Sequence, residues 1–140
     1  MNRPTDTEHF RAVYALIPLL TQAIKAKKVI ALIGGMGTGK TSLARAATPN
    51  SCYIDLSQCT GGNWIRPLLA EERPVILDEV SNLQPGTLNA DVVMEQCGRF
   101  NALLCLFQTE DEARSYLGNS GPVEAFSLDL GQVSALPAWS

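Results

Sequence analysis

The chain contains one histidine, His9, so no catalytic or metal site that needs two histidines can be assembled from it. Cysteine is scarce too. The thiols at Cys52, Cys59, Cys97 and Cys105 include no pair at the two-residue spacing of a zinc knuckle or a redox motif. Basic residues are not in excess. Lys+Arg 11 against Asp+Glu 14 gives a net charge of −3 and a pI near 5.1, which argues against a broadly basic nucleic-acid-binding surface while leaving room for a local patch. Long apolar runs are missing as well. The near-apolar stretch at residues 13–20, the longest in the amino-terminal half, falls well short of the ~20 residues of a bilayer span. The first residues lack the basic stretch, apolar core and cleavage site of a secretory signal. These absences predict a soluble, cytoplasmic protein with free thiols and no membrane partner. Cys52 and Cys105, which lie in apolar runs, are expected to be buried as small hydrophobes.

What is present is globular. Hydrophobic residues make up 46% of the 140 and charged residues 18%, too apolar for a disordered chain and enough for one ordinary domain. Phe10, Val13, Tyr14, Ile17 and Ile24 recur at helical spacing, with Thr5 or Asp6 as cap and Glu8 in the first turn. Pro18 should kink or split this helix. Lys25, Lys27 and Lys28 close it, as a solvated end or as a contact for nucleic acid. Five short apolar runs then follow at residues 29–33, 52–55, 74–78, 102–107 and 123–128. Segments of helical composition separate them at 41–47, 64–70, 90–97 and 110–117, with Asn89 and Thr109 as caps for the last two. Alternation of this kind predicts an α/β fold in which a mostly parallel sheet carries helices on both faces. Residues 1–27 are expected to form a helical segment, 28–130 the core, and 131–140 an irregular tail whose Trp139 packs back on the body or on a partner.

The most specific signal is Gly34-Gly35-Met36-Gly37-Thr38-Gly39-Lys40-Thr41, followed by Ser42. It fits G-x-x-x-x-G-K-[ST] without a mismatch, with a buried strand before it and a helix after it. Glycines let the backbone wrap closely round a phosphate. Successive N–H groups, from about Gly37 to Ser42, form an anion nest, and the helix start adds its positive dipole end. Lys40 supplies a point charge for the β- and γ-phosphates, and the Thr41 hydroxyl a ligand for Mg²⁺. The alternative is a glycine-rich turn that binds nothing.

A second motif ends the third run, Pro74-Val75-Ile76-Leu77-Asp78-Glu79. Asp78 fits the acid that holds Mg²⁺ against nucleotide phosphates, and Glu79 the general base for an attacking water. Period-two alternation would put the two acids on opposite sides of a continuing strand. They can serve one site only if the backbone turns just there. The fourth run ends at Gln108, a candidate for contacting the γ-phosphate or orienting the water, with a solvent-facing or capping glutamine as the alternative.

Together Gly34 to Thr41, Asp78-Glu79 and Gln108 resemble the additional-strand, catalytic-Glu division of phosphate-loop NTPases. That resemblance implies a three-layer fold with sheet order 5-1-4-3-2, and ATP and Mg²⁺ as cofactors. Within the division, Val75-Ile76-Leu77-Asp78-Glu79-Val80-Ser81-Asn82-Leu83, Gly98-Arg99-Phe100-Asn101, Phe107-Gln108-Thr109 and Arg114-Ser115-Tyr116-Leu117-Gly118 are similar to the FtsK/HerA superfamily, which includes type IV secretion coupling proteins and viral packaging ATPases. This narrower likeness implies a homo-oligomer, a DNA or DNA-processing partner, and Arg99 as a finger acting on a neighbouring subunit's nucleotide. Arg73 and Arg114 compete for that part, and a surface arginine at a helix end is the alternative. Gly61-Gly62-Asn63-Trp64 is either a loop presenting an aromatic or a helix start packing its tryptophan inward. Three functions stay open on these residues: an oligomeric ATPase moving or loading DNA, a nucleotide-dependent accessory switch with little turnover of its own, and a small nucleotide or metabolite kinase. ATP is the default nucleotide, since no guanine-reading motif is present.

Overall fold

Pro18 has no N–H to give the Tyr14 carbonyl, so a continuous helix cannot pass through it. In the computed structural model, which describes residues 6–58, 71–80, 102–118 and 122–137, helix α1 (Asp6–Tyr14) stops there. Helix α2 (Ile17–Lys25) restarts with the proline in its first turn. Val13, Leu20 and Ala23 are buried, whereas Tyr14, expected on the same apolar stripe, is 44% exposed at the helix end. Beyond α2 the chain reverses through Lys27, whose φ of 57° is left-handed. The Lys27 and Lys28 N–H groups donate to the Ile24 and Ala23 carbonyls, satisfying the last turn and aiming the chain into the sheet.

The apolar runs become strands β1 (Val29–Ile33), β2 (Cys52–Asp55), β3 (Val75–Asp78), β4 (Leu103–Phe107) and β5 (Val123–Ser127). All five are parallel. They stand in the order β2-β3-β4-β1-β5, which is 5-1-4-3-2 from the other edge, as the resemblance implies. The sheet has six strands rather than five. Ser134–Ala135, in the tail expected to be irregular, forms β6 antiparallel to β5, with Phe126 opposite Ala135 and Ser127 opposite Ser134. A two-residue Ser-Ala bridge carries no β-rich pattern; the ladder of β5 captures it.

Every residue of β1 and of β4 is buried. Successive side chains point to opposite faces, so each strand feeds two cores. Val29, Ala31, Ile33, Leu103, Cys105 and Phe107 meet Ala113, Tyr116 and Leu117 of helix α4 (Glu110–Leu117). Ile30, Leu32, Ile76, Leu104 and Leu106 meet Val13 and Leu20 from the amino-terminal helices, and Leu43 and Ala44 of helix α3 (Lys40–Ala47). The result is the three-layer α/β arrangement. Cys105 is buried as expected, and Cys52 is half-buried at the sheet edge. The segments expected as helices at 64–70 and 90–97, with Asn89, Trp64, Cys59, Cys97 and Trp139, lie outside the described residues. Among the described residues no helix is long and apolar enough to cross a membrane.

Candidate phosphate and metal site

At the carboxyl end of β1 the Gly34 N–H still bonds the Phe107 carbonyl, at 3.0 Å; the chain then leaves the sheet, wraps, and enters α3 at Lys40. Two glycines are obligatory in this wrap. A Cβ on Gly34 would lie 2.5 Å from Thr38 Oγ1, and Gly39 has a φ of +94° with Phe10 of α1 lying where its Cβ would go. Side chains hold the loop from three sides. The Thr38 hydroxyl donates to the Gly35 carbonyl at 2.8 Å, and the Gly35 N–H donates to Asp129 Oδ1 at 3.1 Å. From α1, the His9 Nε2–H donates to the Thr38 carbonyl at 3.0 Å. His9 is 3% exposed, and its Nδ1 is buried with no hydrogen-bond partner. The lone histidine is therefore a buried brace beneath the loop.

Lys40 lies across the loop and donates to the Gly34 carbonyl at 2.5 Å and the Gly35 carbonyl at 3.0 Å. Burial pulls its pKa below the ordinary lysine value, and the charges of Asp78, Glu79, Asp129 and Glu112 oppose that shift. Thr41 stands half-buried at the start of α3 and donates its hydroxyl proton to Asp78 Oδ2 at 2.9 Å.

At the carboxyl end of β3 the chain turns where the two acids require it. Glu79 has a φ of 57°, a left-handed conformation in a residue that is not glycine. Its N–H donates to Asp78 Oδ1 at 2.9 Å. The turn cancels the strand alternation, so both acids line one cavity.

That cavity holds about 320 Å³ and is lined by Met36 to Ser42, Asp78, Glu79, Leu106, Phe107, Gln108 and Glu112. Lys40, Thr41, Asp78, Glu79 and Gln108 thus converge at one end of the sheet. Met36 is 88% exposed at the loop tip. Arg99, expected to act on a neighbouring subunit's nucleotide, lies outside the described residues. Sequence reasoning missed four participants: His9, Tyr53, Glu112 and Asp129. Glu112 had a signal, because Thr109 and Glu112 form a capping pair at the start of α4: the Thr109 hydroxyl accepts from the Glu112 N–H at 3.2 Å, and Glu112 Oε1 accepts from the Gln108 N–H at 3.3 Å. Tyr53 sits on β2 with its hydroxyl 2.5 Å from Asp78 Oδ2.

Among the described residues no group of three or more His, Cys, Asp or Glu side chains converges as a metal cage. The Thr41 hydroxyl and Asp78 carboxylate are hard oxygen donors. They suit Mg²⁺, which keeps several waters and takes its other ligands from phosphate. The described lining carries one cation, Lys40, against the carboxylates of Asp78, Glu79 and Glu112. A triphosphate entering here with a divalent cation is better matched in charge than one entering alone.

No protein-family model matches this chain, and no curated protein sequence matches it. Solved structures do. The chain is similar to the structure of PCH-2 from C. elegans, with a TM-score of 0.51 and 16% identity over 94% of this chain. It spans 44% of the length of that protein. At this identity the likeness concerns the fold, and it agrees with the α/β phosphate-loop architecture described above.

Proposed function

We propose that the chain is a Mg²⁺-dependent phosphate-loop ATPase of the additional-strand, catalytic-Glu division. One observation carries the reading: the Thr41 hydroxyl bonded to Asp78 at 2.9 Å, beside the loop of residues 37–42 and across one cavity from Glu79 and Gln108. Two distant motifs meet there as the chemistry requires. The fold likeness to PCH-2 is consistent with the α/β architecture on which this site is built.

The residues have separable tasks. The N–H groups of residues 37–42 and the start of α3 receive phosphate oxygens. Lys40 exchanges the Gly34 and Gly35 carbonyls for β- and γ-phosphate oxygens. Thr41 donates its proton to Asp78, so its oxygen lone pairs are free for a cation. Bound Mg²⁺ supplies neutralisation of the phosphate charge. Glu79 accepts the proton of the attacking water, and Gln108 orients that water.

The narrower FtsK/HerA likeness, and DNA transfer, mobilisation or packaging with it, rests on sequence motifs over residues 75–118, of which 81–101 lie outside the described residues. The part proposed for Arg99 in a neighbouring subunit rests on the same motifs. Calorimetry with a non-hydrolysable ATP analogue and Mg²⁺, paired with a phosphate-release assay over a range of protein concentrations, tests the reading. Saturable binding with Mg²⁺-dependent phosphate release is expected, and turnover per chain that climbs with concentration would mark an oligomeric enzyme. Tight binding with negligible release would favour the accessory-switch reading. A phosphorylated small-molecule product would favour the kinase. Absence of binding would refute a nucleotide site.

A further inference from the structure

Tyr53 has no part in the motifs, yet its hydroxyl ends on the carboxylate they single out. In the register of β2 and β3 Tyr53 lies beside Ile76, so Asp78, two residues along, is on the same face of the sheet. From there the Tyr53 hydroxyl donates to Asp78 Oδ2 at 2.5 Å. The Arg45 guanidinium, from α3, lies 4.1 Å from the centre of the Tyr53 ring and holds it from its face.

A carboxylate has about four lone-pair positions. Asp78 Oδ2 accepts from both Thr41 and Tyr53, and Oδ1 accepts from the Glu79 N–H. One position is left, on Oδ1. A carboxylate tethered in this way can offer a single oxygen contact to a cation or to its water, and it cannot swing to chelate through both oxygens. Mg²⁺ is satisfied by such a contact in a strict octahedron, whereas Ca²⁺ takes carboxylates in one- or two-oxygen fashion with looser geometry.

We infer that Tyr53 is a positioning residue that confines Asp78 to one-oxygen coordination and so makes the site select Mg²⁺ over Ca²⁺. The inference rests on the phosphate-site reading above and concerns which cation accompanies the nucleotide. Tyr53 does not line the cavity itself and acts on it only through Asp78.

The test is the affinity for a fluorescent ATP analogue in EDTA and during titration with Mg²⁺ or Ca²⁺. For Tyr53→Phe the affinity in EDTA should stay within about twofold, while the Mg²⁺ midpoint rises about tenfold, the usual scale for losing a partner of a metal ligand. The Ca²⁺ midpoint should move less, so the preference for Mg²⁺ narrows. Arg45→Gln, which leaves the hydroxyl in place, should shift the Mg²⁺ midpoint about twofold the same way. Equal shifts for Mg²⁺ and Ca²⁺, or an equal loss in EDTA, would overturn the inference and leave Tyr53 a packing residue. So would unchanged midpoints in both variants. A parent chain that fails to bind the analogue with or without a divalent cation would remove the phosphate site itself, and this inference with it.

Discussion

Two turns at the same end of the sheet solve one geometric problem in different ways. The loop after β1 needs positive φ, and it supplies it with Gly37 at 76° and Gly39 at 94°. The turn after β3 needs positive φ as well, and it places Glu79 there at 57°. Where the backbone is the ligand, glycine costs no strain and gives up no chemistry. Where a side chain is the working part, the turn carries it at a conformational cost of about 1–2 kcal/mol. On the proposed function, Glu79 occupies this turn for its carboxylate rather than for its fit. Lys27, the other non-glycine residue described at φ 57°, is a control: it closes α2 and has no place in the lining of the cavity that Glu79 faces.

Substitutions at these turns sharpen the contrast. The broadest effect, on binding and turnover together, is expected on the loop side. Lys40→Ala deletes the described cation of the lining, and turnover should fall ~100-fold or more with nucleotide affinity weakened, read by phosphate release and calorimetry. On the acid side, Glu79→Gln should slow hydrolysis by ~10²–10⁴-fold while leaving the nucleotide bound. A Glu79→Gln protein that hydrolyses like its parent would move the base elsewhere. Gly39→Ala should destabilise by about 2 kcal/mol in urea unfolding, because it combines left-handed strain with a Cβ driven onto Phe10.

The smallest effects separate function from fit. Glu79→Gly and Lys27→Gly should each raise stability by about 1 kcal/mol, or roughly 4 °C in melting temperature. Only Glu79→Gly should also lose turnover. If Glu79→Gly melted lower than its parent, the left-handed turn would not be strained, and the reading of Glu79 as retained against its fit would go.

The sequence made the strands and the phosphate loop legible because each rests on local chemistry. The expected runs match β1 and β2 residue for residue and overshoot β3, β4 and β5 by one residue at one end, at Pro74, Ala102 and Leu128. Pro74 has no N–H for a ladder, and its carbonyl accepts from Cys52 instead. Period-two logic also stated the condition under which Asp78 and Glu79 could work together, and the turn at Glu79 meets it. What stayed hidden depends on distant contacts. Nothing near His9 announces that α1 will lie beneath Thr38. Tyr53 becomes visible only when β2 is set beside β3 in register, and Asp129 only when the end of β5 is set beside Gly35. The β6 bridge has no local signal, since Ser134 and Ala135 gain their order from β5.

A structure of the chain with a non-hydrolysable ATP analogue and Mg²⁺ tests the central claim most directly. The account places the triphosphate on the amides of residues 37–42, with the cation reached by Thr41 and Asp78. A triphosphate held elsewhere, or a loop left empty at saturating nucleotide, would contradict it.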